Sequence, residues 1–160
     1  MRNLFRVSLV AASATAITVG LTLPASAIDG SVFSRAVTPG YNDAGGTISA
    51  DIVFNASDHT RVSFNNLKVN DTCPADGNWA GGRVVVMFTD GTVWRGPNRL
   101  DTGGCTSAQP AAVNAPFDGS RPVAKAGVQA LVMSGTNSSD SDILEKGGID
   151  WRDNPYTTAP

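Results

Sequence analysis

The sequence predicts an all-β domain: an antiparallel two-sheet sandwich of the immunoglobulin-like or Greek-key kind, with a small β-barrel as the alternative. Three observations carry this. The 17 Gly and 9 Pro of the 160-residue chain cut it into short pieces. No window sustains apolar residues at helical spacing over three turns. Period-two alternation and continuous apolar runs recur instead, separated by turn signals roughly every ten residues.

The elements follow in order of clarity. In Thr47 to Phe54, Ile48, Ala50, Ile52 and Phe54 alternate with Ser49, Asp51 and Val53, so a strand turns the first set to the core. Arg61 to Val69 carries Val62 and Phe64 in phase but Leu67 and Val69 one position out, with Asn65-Asn66 at the change. One extra residue swaps the faces, so this segment reads as one bulged strand or two short ones. Arg83 to Phe88 and Val93 to Arg95 flank Asp90-Gly91, which suits a two-residue type I′ turn pairing Phe88 with Val93 and Met87 with Trp94. The first of these strands is apolar on both faces and belongs inside a sheet.

Val128 to Met133 is another inner strand, and Ser31 to Val37 and Ala111 to Phe117 are weaker ones. Pro110 and Pro116 confine the latter to an edge. Asp140 to Lys146 fits a helical turn, capped by Ser141 or Asp142 and stopped by Gly147, or a plain loop.

Residues 1–27 stand apart. Arg2 and Arg6, the uncharged apolar stretch Val7 to Leu23, Pro24 and the small-residue site Ala25-Ser26-Ala27 have the three parts of a secretory signal. Cleavage after Ala27 leaves a single secreted, extracellular domain, residues 28–160, with no further apolar run long enough for a membrane span. That domain has 10 basic against 14 acidic residues. An acidic surface without basic clusters repels phosphate backbones, so nucleic acid is excluded as a partner. Cys73 and Cys105 both lie in the exported part, where pairing is favoured. Their disulfide closes a 32-residue loop, which stabilises the fold by about 3 to 4 kcal/mol in the chain-entropy treatment.

No catalytic constellation emerges. His59, the only histidine, sits beside Asp58 in a polar turn without a G-x-S-x-G elbow. Glu145 is the only glutamate, and most of the thirteen aspartates stand in turns beside Gly, Asn or Ser, so the carboxylate pair of a glycosidase is unsupported. One histidine rules out an H-E-x-x-H zinc site. Calcium is the one cofactor the loops offer ligands for, at Asn137 to Asp142 with Glu145, or at Asp71 with Asp76; neither matches an EF-hand, and solvated turns are the favoured reading. The candidate binding residues are aromatic: Trp79, Trp94, Trp151, Tyr41 and Tyr156, whose rings offer rigid area for a glycan or a protein. Packing explains the same residues, with Trp94 and Trp79 against the disulfide and Trp151 pinning the C-terminal segment. Asn55-Ala56-Ser57, Asn70-Asp71-Thr72 and Asn137-Ser138-Ser139 are glycosylation sequons, expected bare because the high Arg, Ala and Gly content suggests a high-GC bacterium.

The segment Asn70 to Asn78, then Phe88-Thr89-Asp90-Gly91-Thr92, Gly104-Cys105 and Asp153-Asn154-Pro155-Tyr156-Thr157 resemble small secreted β-proteins of actinobacteria. The resemblance implies export and a β fold and transfers no catalytic or binding residue. The sequence therefore predicts a secreted, non-enzymatic module that recognises an extracellular or envelope partner. A carbohydrate-binding module, a small hydrolase with an unrecognised site, and a protease inhibitor acting through the Cys73 to Cys105 loop are the alternatives.

Overall fold

The computed structural model describes residues 30–41, 44–72, 76–101, 103 and 112–158. Residues 1–27, read above as a secretory signal, and Cys73, Cys105 and Pro110-Ala111 lie outside the described residues. Among the described residues, nine strands form two antiparallel sheets packed together. The first has the order β1 (Gly30–Val37), β2 (Gly45–Phe54), β3 (Arg61–Thr72), β7 (Val113–Asp118). The second has the order β5 (Val93–Arg95), β4 (Trp79–Phe88), β8 (Val123–Met133), β9 (Ile143–Asp153), with β6 (Arg99–Leu100) also on β4.

Alternation decides what lies between the sheets. Ile48, Ala50, Ile52 and Phe54 are buried as their period requires, facing Ala80, Val84, Val86 and Phe88 of β4 and Val128, Ala130 and Val132 of β8 within one core cluster. β3 is a single bulged strand. Ser49 pairs with Lys68 but Asp51 pairs with Asn65, so two residues of β3 oppose Ala50. Asn66 takes the left-handed φ of 52° there, and Leu67 and Val69 return to the core with Val62 and Phe64. β7 is an edge strand, as Pro116 demands.

The hairpin differs from expectation by one residue. Met87 pairs with Val93 and Val86 with Trp94, while Phe88 N donates to Thr92 O and Gly91 N to Phe88 O. The loop is therefore three residues with one left-handed position, Gly91 (φ 81°), which is a type I turn followed by a bulge. Asp90 keeps a negative φ because its carboxylate accepts from Thr92 N and Oγ1, which favours the longer loop over type I′.

Near the C-terminus the helical turn is confined to a 3₁₀ segment, Asp140–Asp142, capped by Ser139 rather than Ser141 or Asp142. Ile143 then begins β9, an eleven-residue strand absent from the expectation. Gly147 lies inside β9 rather than ending a helix. The backbone of β1 crosses so close that a Cβ on Gly147 would meet the carbonyl oxygen of Arg35.

Both open sides of the sandwich are stapled. At β1/β9, Ser34 Oγ donates to Gly148 O (2.6 Å), Asp150 accepts from Phe33 N (2.9 Å), and Arg152 donates to the carbonyl of Ser31. At β5/β7, the Trp94 ring lies 4.8 Å from that of Phe117. The outer face of β4 carries Arg83, only 3% exposed. Its guanidinium donates twice to Gln129 and pairs with Asp140 at 3.3 Å, which ties the loop before β9 to the sheet. No helix among the described residues is long and apolar enough to cross a membrane.

Candidate functional site

The residues singled out from sequence are dispersed over the fold. His59 is exposed in the turn before β3, and its ring stacks on Tyr156 at 6.2 Å and 8°. Its neighbour Asp58 is committed elsewhere: one carboxylate oxygen accepts from Thr60 N and Oγ1, the other pairs with Arg61. The Thr60 hydrogen bonds, chiefly, hold the Asp58 carboxyl below the usual carboxylate range. Glu145 is exposed on β9.

Trp79, half-buried, opens β4 opposite Met133. Trp151, half-buried on β9, lies against Gly127 of β8. Trp94, 37% exposed, packs on Phe117. Tyr41, 48% exposed, follows β1, and Tyr156 is half-buried against the core. These five sit on separate elements, so no two of them share a strand.

Of the calcium candidates, Asp140 Oδ1 is taken by Arg83 and Asn98. Asp71 and Asp76 are joined by a third carboxylate, Asp101, which is 5% exposed. Burial, then repulsion from Asp76 and Asp101, pushes the Asp71 carboxyl above its ordinary value. Asp76 accepts from Thr38 Oγ1 and Asn78 N, and Asp101 from Asp71 N and Gly103 N. Among the described residues no group of three or more His, Cys, Asp or Glu is arranged to hold a metal ion.

A groove among the described residues lies elsewhere, on the outer face of β2, β3 and β7. Register builds it from two adjacent rows. Val53 pairs with Ser63 and Ser63 with Pro116; in the next outward-facing row Arg61 pairs with Asp118, and Asn55 N donates to Arg61 O. The resulting groove has a volume of about 560 Å³ and is lined by these six residues with Val62 and Phe117 beneath, within the roughly 300–1,000 Å³ usual for small-molecule sites.

Its polar row is pre-organised. Arg61 pairs with Asp118 at 3.0 Å and with Asp58 at 3.3 Å, and the hydrogen bond that Arg61 donates to Asp118 raises the Arg61 pKa. Asn55 Oδ1 accepts from Ser57 N, Ser57 Oγ and Asp58 N, which fixes the turn. Farther along the same face, Asp51 accepts from Ser31 and Asn66, which hold its carboxyl low. None of the groove residues was legible as a site. Arg61, Asp118 and Asn55 read as turn or strand-end polar residues, and only strand register brings them into one row.

No protein-family model matches the chain, and no curated protein or solved structure matches it either.

Proposed function

We propose that this protein is a secreted, non-catalytic recognition module whose binding site is the groove across β2, β3 and β7. The observation that carries the reading is convergence. The groove gathers an apolar row, Val53 and Pro116 around Ser63, beside a polar row, Asn55, Arg61 and Asp118. Apolar floor plus a few fixed polar groups is the usual make-up of a binding site. His59 and Glu145 lie outside its lining, and the carboxylate that does line it, Asp118, is paired with Arg61.

The partner is an extracellular or envelope component, given the secretory signal read in residues 1–27. A Cys73–Cys105 disulfide is part of the same reading, as an exported chain favours pairing. Asp101 supports it, because its carboxylate holds both Asp71 and Gly103, each two residues before a cysteine.

Retention on insoluble envelope material tests this. Ser63→Trp places an indole in the centre of the groove without touching the core. The variant should keep the native melting temperature and lose at least tenfold in retention. Equal retention of Ser63→Trp and native protein overturns the proposal.

A further inference from the structure

Resting on that reading of the groove, we infer that its ligand is a neutral oligosaccharide. Charge comes first. The single positive charge of Arg61 is flanked by two carboxylates, Asp58 and Asp118, so a phosphate, sulfate or uronate would meet net negative charge and have to displace one of them. A cationic ligand would have to compete with the Arg61 guanidinium, already held by both carboxylates, for the same oxygens. An uncharged ligand leaves these ion pairs intact.

Hydrogen-bonding capacity comes second. Among the described residues, Asn55 Nδ2, Arg61 Nη1, Ser63 Oγ and the second oxygen of Asp118 line the groove without an internal partner. They supply donors, an acceptor and one hydroxyl that does both. Sugar hydroxyls, each donor and acceptor at once, match such a mixed row, and planar Arg and carboxylate groups hold vicinal hydroxyls in a fixed orientation.

Shape comes third. The apolar row of Val53 and Pro116 runs parallel to the polar row, two residues away along each strand and so on the same face. A pyranose presents this same division, with C–H groups on its faces and hydroxyls around its rim. The groove thus takes the ring by side chains that the five Trp and Tyr candidates do not include.

The test uses the mature secreted protein. A glycan array is followed by calorimetric titration with hexasaccharides of glucose, xylose, mannose and N-acetylglucosamine, and with polygalacturonate and heparin as charged controls. The expected result is binding of at least one neutral hexasaccharide, weakened tenfold or more by Asp118→Ala and by Ser63→Trp, with no binding of the charged polymers. Silence of every neutral glycan, or affinity unchanged in both variants, overturns the inference. If Ser63→Trp still abolishes envelope retention in that case, the groove remains a binding site for a polypeptide. If retention is also unchanged, the groove reading falls as well.

Discussion

Ser34 Oγ on β1 accepts the amide hydrogen of Ala130 on β8 at 2.9 Å, across the gap between the two sheets. The pairing of Gln129 with Ile149 and of Leu131 with Lys146 sets Ala130 opposite the two residues Gly147 and Gly148. That bulge leaves backbone groups to be satisfied, and Ser34 answers one at each side by donating to Gly148 O. Ser34→Ala strands the buried Ala130 amide and frees the Gly148 carbonyl at the exposed side. It should destabilise the protein by about 1–3 kcal/mol in denaturant unfolding, whereas Ser31→Ala on the exposed face should change little.

The cysteines should be paired in the secreted protein. Intact mass should lie two hydrogens below the reduced value, and reduction should cost roughly 3 to 4 kcal/mol of stability if loop entropy dominates. Asp101→Asn, which weakens the hold on Asp71 and Gly103, should slow oxidative refolding. Free thiols on fresh material would contradict the pairing.

Asp71 gives a pH test of opposite sign to ordinary acid denaturation. Its carboxyl is raised above the free value of 3.8, so its contribution is fully present below that value and lost as pH rises through the folded pKa. Asp71→Asn should raise the melting temperature near neutral pH and lose that advantage under acid. Asp51, lowered by its hydrogen bonds from Asn66 and Ser31, behaves conversely: its contribution is present above 3.8 and disappears as pH falls through the folded pKa. A calcium-dependent rise in melting temperature that Asp71→Asn abolishes would instead assign these carboxylates to a cation.

Trp94 closes the β5/β7 side against Phe117. Trp94→Ala should cost about 1–3 kcal/mol of stability, from lost area and ring contact, and leave ligand affinity unchanged. Loss of affinity at constant stability would make this indole part of the site.

The fold was legible where side-chain period is unambiguous. Ile48, Ala50, Ile52 and Phe54 announce their face, and Asn65-Asn66 marks the bulge that Asn66 adopts. β9 was not legible, because its Gly147-Gly148 pair and charged residues suit a loop until β1 is packed against them. The hairpin register depended on Asp90 accepting from Thr92, a contact that favours the three-residue loop although Asp-Gly alone suits type I′. The groove was hidden for a further reason. Val53, Ser63 and Pro116 are separated in sequence by a turn and by three strands, and only cross-strand pairing makes them neighbours.

Amide-resolved NMR of the secreted protein, titrated with a hexasaccharide that binds or with solubilised envelope polysaccharide, tests the groove most directly. Shifts should concentrate at Val53, Asn55, Arg61, Ser63 and Asp118. Shifts confined to Tyr41, Trp79 and Trp151, with those five positions silent, would contradict the assignment.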